Sequence, residues 1–257
     1  MAKLVQKSGY IKSGKASGYM RYIATREGVE KLAGNSAVTK GQRELIQKLL
    51  HDFPDAVELF EYEDYCRTPT LGTASAFISM ALDANLHEID PESGYMQYIA
   101  TRPRVQNRGT HGLFSSATAV DLASAISELE AHEGNVWTII YSLRREDADR
   151  LEYDNADAWR ALLMENAPTL AKSMKISLDN FHWYAAFHDE GHHPHIHMMV
   201  WSDDPKEGFL TRDGIATMRS KLTNAIFRDE MQQIYERKDV AYSDLVEAAQ
   251  NLSLIHI

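Results

Sequence analysis

FHWYAAFHDEGHHPHIHMMVWS, residues 181–202, is the stretch that decides how this chain reads. Phe181, Trp183, Ala185 and Phe187 alternate with His182, Tyr184, Ala186 and His188. Further on, Ile196, Met198 and Val200 alternate with His195, His197 and Met199. Period-two alternation rich in aromatic residues marks half-buried strands. Asp189, Glu190, Gly191 and Pro194 lie between the two runs and are turn formers. The segment therefore predicts an antiparallel hairpin.

In such a hairpin His195 and His197 leave the same face, with Cα atoms roughly 6.6–7 Å apart. Two imidazoles at that spacing can converge on one ion at metal–nitrogen distances of about 2.0–2.1 Å. His188 ends the preceding strand, where the turn brings it opposite, so the pattern is His-x6-His-x-His. Three nitrogen ligands with positions left open describe a catalytic ion, whereas a structural site would be closed. His192 and His193 fall in the turn and are expected to be solvated. Five histidines between His188 and His197, beside two carboxylates, do not suit a plain exposed face. Their place inside an apolar alternation does not suit an artificial tag.

The 257 residues can hold one large domain or two small ones. The net charge of −10 argues against a surface that binds nucleic acid throughout. It leaves room for a local basic groove, and Lys12, Lys15, Arg21, Arg26, Arg102, Arg104, Arg108, Arg144 and Arg145 do cluster. The acids concentrate in 52–64 and 146–157 and are expected to be solvated. The single cysteine, Cys66, excludes a disulfide framework within the chain and fits a reducing cytoplasm. No apolar run reaches the roughly 18–20 residues of a membrane span, and the N-terminus MAKLVQKSGYIKSGK has no hydrophobic signal core. A cytoplasmic protein without membrane contact is expected.

Taken in order, 3–11 predicts a first strand. Helices are expected at 40–53, capped by Thr39, and at 74–86, capped by Thr73. The first of these would bury Leu45, Ile46, Leu49, Leu50 and Phe53. The pair forms a helical insertion, about 39–90, with an acidic loop over 58–64. A loop carrying Asn107, Gly109, Gly112 and Ser115 precedes a helix at 117–132. The run VWTIIYSL at 136–143 is β-branched and aromatic and is the best candidate for an interior strand. Helices follow at 146–153 and 156–164, another opens at Pro168, and a long one runs over 211–237. One phrase occurs twice: SGYMRYIATREGV at 17–29 and SGYMQYIATRPRV at 93–105, differing at Arg21/Gln97, Glu27/Pro103 and Gly28/Arg104. Two copies with unlike sequence between them do not make a solenoid. The apolar end, 251–257, has no cap and reads as the N-terminal part of a longer protein.

YIATR at 22–26, YIATRP at 98–103, HGLFS at 111–115, YSLRREDA at 141–148 and FHDEGHHPHIHMMVWS at 187–202 together resemble the conjugative relaxases of the HUH superfamily. The resemblance is to the MobP/MobL-like group of Gram-positive mobile elements and covers most of the chain. It implies an α+β fold: one relaxase domain over 1–257, with an antiparallel sheet flanked by helices and the histidines on central strands. It also implies a DNA nickase and strand transferase. Such enzymes cut one strand at an origin of transfer and stay joined to the 5′ phosphate through a tyrosine. On that resemblance Tyr22 is the candidate nucleophile, Tyr98 the alternative and Tyr19 third. Glu190 accompanies the histidines and would orient an imidazole. Arg26 and Arg102 are candidates for phosphate contact. The metal held by His188, His195 and His197 would be Mn2+ or Mg2+, with Zn2+ also suited to imidazoles. The implied partners are single-stranded origin-of-transfer DNA, accessory relaxosome proteins and a coupling protein.

Other classes share parts of this pattern. A rolling-circle replication initiator carries the same histidine motif, although the YIATR phrases and YSLRREDA weigh against it. A DNA-binding module that lost catalysis would keep the hairpin and cleave nothing. A metal-dependent hydrolase of small substrates would form no covalent adduct with DNA.

Overall fold

Five strands pair into one antiparallel sheet in the order β1-β3-β5-β4-β2. They are β1 (Val5–Tyr10), β2 (Leu113–Ser115), β3 (Trp137–Ser142), β4 (Phe181–His188) and β5 (His195–Ser202). In the computed structural model the described residues are 3–10, 36–85, 96, 99–100, 105–106, 111–132, 134–189, 191–228, 230 and 232. The hairpin that the alternation predicts is β4–β5. Its register sets Phe181 opposite Ser202 at the open end and His188 opposite His195 at the turn. β3 is an interior strand, between β1 and β5, as its apolar run predicts.

The period-two rule sorts the sheet into two faces. Ile139, Tyr141, Trp183, Ala185, Phe187, Ile196, Met198 and Val200 form one of them. Helices α6 (Ala156–Ser173) and α7 (Arg212–Ile226) cover it with Trp159, Leu163, Leu170, Met218 and Leu222. The other face is split between two clusters. Val5 and Ile140 join α1 (Lys40–Asp52), α2 (Phe60–Arg67) and α3 (Leu71–Ala84). Leu113, Ala186, Met199 and Trp201 join Met96, Ile99, Ala100 and α4 (Leu122–Glu130). His197 lies in register between Ile140 of the first cluster and Ala186 of the second. The three histidines therefore occupy the seam between two helical layers. This is the α+β arrangement expected, with seven α-helices among the described residues, the short α5 (Arg145–Arg150) included.

Local chemistry explains the helix starts. Thr39 caps α1: its hydroxyl accepts the Gln42 N–H at 3.1 Å, and the Gln42 side chain accepts the Thr39 N–H at 3.1 Å. Ile46, Leu49 and Phe53 are buried as the predicted stripe requires, with Leu45 and Leu50 packed beside them. The helix expected at 74–86 starts earlier. Thr70 caps α3 rather than Thr73, whose own hydroxyl closes the box by accepting the Thr70 N–H at 3.0 Å. In the same way Asp121 accepts the Ser124 N–H at 2.8 Å and starts α4 at Leu122 instead of Ala117.

Three expectations are corrected. Residues 58–64 are not an acidic loop: a 3-10 turn (Pro54–Glu58) leads into α2, because Leu59 and Phe60 are buried beneath the acids. The loop expected to carry Gly112 and Ser115 is shorter as well: Leu113–Ser115 forms an edge strand against Ala186, Ala185 and Tyr184, while His111 and Gly112 lie outside it. The helices predicted on either side of Pro168 are one, α6. A proline inside a helix forfeits one backbone bond and crowds the preceding turn. Pro168 is exposed, so that defect faces water, while Trp159, Leu162, Leu163, Leu170 and Ala171 bury the opposite side and carry the helix through.

Candidate metal centre

The turn-proximal end of β4–β5 brings His188, His195 and His197 together. One ring nitrogen from each lies within 4.8 Å of the others. The ring centroids are 5.2 Å apart for His188 and His195, 4.6 Å for His188 and His197, and 5.1 Å for His195 and His197. All three are buried, at 0%, 1% and 0% exposure in chain order. Burying an imidazole costs free energy unless its polar atoms are matched.

Two of the rings are held by backbone carbonyls. His188 Nε2–H donates to the Ile99 carbonyl at 2.9 Å, and His195 Nδ1–H donates to the His193 carbonyl at 3.0 Å. A carbonyl oxygen only accepts, so each contact fixes the tautomer. The lone pair is left on Nδ1 of His188 and on Nε2 of His195, both buried. Neutral imidazoles with one nitrogen anchored and the other presenting its lone pair are the donor set a cation requires. The residues present thus fit a metal.

The clamp on His188 comes from the second copy of the repeated phrase. Ile99 and Ala100 are buried in helical backbone, and the Gly112 N–H closes on the Ala100 carbonyl at 2.8 Å. Just beyond, Val105 bridges to His188 and the Gln106 N–H donates to the Phe187 carbonyl at 2.9 Å. The turn between β4 and β5 is also anchored. The Leu143 and Arg145 N–H groups donate to the carbonyls of Pro194, at 3.1 Å, and His192, at 2.9 Å. The Arg145 side chain holds Asp189 and the Gly191 carbonyl.

His193 corrects an expectation. It is 5% exposed rather than solvated, stacked on Phe60 with centroids 5.2 Å apart and 25° between the planes. Its Nε2 contacts Asp64 Oδ2 at 2.8 Å. Burial pushes the His193 pKa down, so the neutral ring donates to the carboxylate. Burial works against the Asp64 carboxylate too, but His193 and the Arg144 guanidinium outweigh it and hold its pKa below the usual value. His192 is exposed, as expected.

The family model of MobL relaxases matches residues 1–254. The chain belongs to the MobL relaxase family. Neither the curated proteins nor the solved structures returned a match to it. The family implies a DNA-nicking role, which the resemblance read from the motifs anticipated.

In this MobL relaxase Tyr22, Tyr98, Glu190, Arg26 and Arg102 lie outside the described residues, as does Tyr19. Two tyrosines on the interior strands can be placed. Tyr141 points to the face opposite the histidines, and burial pushes its phenol far above the ordinary value. Tyr184 lies mid-strand, opposite Met199, donating to Glu128 at 2.7 Å; burial first, then that carboxylate, push its phenol up as well. Neither suits a nucleophile. The sequence does not reveal the roles of Asp64, His193 and the Ile99 carbonyl around these rings. Leu59, Tyr62, Tyr65 and Cys66 recur at helical spacing, and that was the available signal for α2. A backbone carbonyl leaves none. Among the described residues no helix is long and apolar enough to cross a membrane.

Proposed function

We propose that this relaxase nicks one strand of DNA at an origin of transfer by metal-assisted transesterification, leaving a 5′-phosphotyrosyl adduct during plasmid or transposon mobilisation. The observation that carries the reading is the buried trio of imidazoles, two of them fixed by carbonyls in tautomers that present a lone pair. His188, His195 and His197 hold the divalent ion. Three imidazoles suit Mn2+ or Zn2+ on grounds of ligand softness, and Mg2+ can serve through abundance. When bound, the ion supplies Lewis-acid and orienting chemistry at a phosphate oxygen.

The protein's own groups do the rest. Tyr22, or Tyr98 in its place, attacks the phosphorus through its phenolic oxygen. The new oxygen–phosphorus bond replaces the bond to the 3′ oxygen, the phenolic proton leaves, and the 3′ oxygen takes one up. One phosphodiester is exchanged for another, so no external energy source is needed. A free phenol ionises near pH 10, and only about one in a thousand is phenolate at neutral pH. The site must therefore favour attack by placement as well as by charge. Arg26 and Arg102 are assigned to the DNA phosphates and Glu190 to orienting an imidazole. Single-stranded origin DNA is the substrate, and accessory relaxosome proteins and a coupling protein are the expected partners.

The test is incubation with single-stranded DNA from the origin region and Mn2+, followed by denaturing electrophoresis. A slower, protease-sensitive DNA band that disappears in excess chelator is expected. Full activity in chelator would reject metal assistance, and the absence of any adduct alongside cleavage would reject the tyrosyl intermediate.

A further inference from the structure

We propose that Asp64, in the helical insertion, is a positioning residue for His195, acting through His193. The chain of contacts is continuous. Asp64 Oδ2 accepts the His193 Nε2–H at 2.8 Å, and the His193 carbonyl accepts the His195 Nδ1–H at 3.0 Å. Among the described residues Asp64 is the side chain hydrogen-bonded to His193. The two sit 129 positions apart in sequence, so the insertion reaches the hairpin only through the fold.

The intervening backbone transmits this hold. Pro194 follows His193, and a residue before proline is confined to extended conformations, so the 193–194 peptide has little freedom. The carbonyls on either side, of His192 and Pro194, are tied to Arg145 and Leu143. The ring of His193 adds a further hold on how its own carbonyl tilts beneath His195. Phe60 stacks on that ring from α2. The Arg144 guanidinium lies 4.7 Å from the Phe60 centroid, 3.3 Å from Asp64 Oδ1 and 3.0 Å from Glu63 Oε2. A carboxylate, a ring and a guanidinium fix one peptide plane, and that plane selects which His195 nitrogen carries the proton. Partners of this kind around a bound metal are worth about 10–100-fold in affinity when removed. Asp64 stands one residue further out, so a loss near the lower end of that range is expected.

The test has two arms, the second of which rests on the metal reading above. In the first, the full chain carries 15N-labelled histidine and is examined without metal by long-range 1H–15N correlation. The unmutated protein should show His195 as the Nδ1–H tautomer. Asp64→Ala should mix the two tautomers, and Asp64→Asn, whose amide oxygen still accepts from His193, should restore one. In the second arm Mn2+ is titrated: Asp64→Ala should weaken binding by about 10-fold and Asp64→Asn by no more than about 3-fold. Should Asp64→Ala not fold, Asp64→Ser, too short to reach His193, takes its place.

An unchanged His195 tautomer together with unchanged Mn2+ affinity in Asp64→Ala would overturn the inference. Equal losses in Asn and Ala would also overturn it, because charge rather than the hydrogen bond would then be responsible. Unmutated protein that binds no Mn2+ while the tautomer arm behaves as expected would count against the metal reading and leave the positioning role standing.

Discussion

His195 donates its Nδ1–H to the carbonyl of His193, two residues earlier in the same chain, at 3.0 Å. His188 makes the same kind of bond to Ile99, which is 89 positions away. Two rings that face each other across the hairpin are thus oriented by different means. One depends on the turn, which in turn leans on α2 through Asp64. The other depends on the second YIATR phrase. Each bond satisfies a buried N–H that would otherwise cost about 1–3 kcal/mol.

Removal of one imidazole should separate binding from folding. His195→Ala or His197→Ala is expected to weaken Mn2+ by at least about 100-fold and to abolish the DNA adduct, because two nitrogens no longer define the site. His192→Ala is the matched control: His192 is exposed, so neither affinity nor stability should move by more than about 0.5 kcal/mol. Calorimetric Mn2+ titration and urea unfolding of the same samples check both. Retained affinity in His195→Ala would remove it from the ligand set.

The two tyrosine candidates are distinguished by substitution. Tyr22→Phe should abolish covalent attachment while sparing DNA binding, and Tyr98→Phe should retain attachment. Ile99, whose carbonyl holds His188, directly follows Tyr98 in the chain, so the reverse outcome would identify Tyr98 as the nucleophile. Denaturing electrophoresis beside a binding assay reads both quantities.

Gly112 is close-packed against the strap that closes the end of β4. A Cβ there would meet Val105 Cγ2 at 2.1 Å and the Gln106 carbonyl at 3.1 Å. Val105 and Gln106 pair with His188 and Phe187. Gly112→Ala should therefore destabilise the fold by about 1–3 kcal/mol, the usual cost of overpacking. It should also weaken Mn2+ binding by moving His188. Adding Val105→Ala should recover part of the stability. Urea midpoints for the single and double variants provide the measurement, and a neutral Gly112→Ala would show that the strap yields freely.

Acid should loosen α2 from the hairpin. Burial opposes the Asp64 and Glu63 carboxylates, but His193 and Arg144 for the first, and Lys3 and Arg144 for the second, hold their folded pKa values below the ordinary 3.8 and 4.5. A carboxylate with a lowered folded pKa stabilises the fold fully above its unfolded value, and that contribution is lost as pH falls through the folded one. Stability should thus be flat in these two groups at neutral pH and decline below about pH 4. Arg144→Met should shallow the decline. Unfolding free energies between neutral and strongly acidic pH test this, and an unchanged slope in Arg144→Met would rule out the guanidinium as the cause.

The hairpin and its histidines were legible because they are local. Period-two alternation is a property of the extended backbone itself, so residues two apart share a face wherever the strand is placed. A short turn then sets His188 opposite His195. Helix starts were readable to within a few positions, because Thr39 and Thr211 cap through their own side chains, while Thr70 and Asp121 competed with nearby alternatives. The α6 continuation through Pro168 was not readable, since it follows from what the helix buries rather than from its propensity.

By itself, then, the sequence determined that three imidazoles would share one face of a hairpin, and its motifs pointed to the relaxase family. Only the tertiary structure decided what holds those rings: Ile99 against His188, and Asp64, through His193, behind His195. The reason is physical. A side chain's face is inherited from its own backbone, but the carbonyl that orients a ring is the same atom in every residue, and the carboxylate that steadies a turn is recognisable only once distant segments have packed.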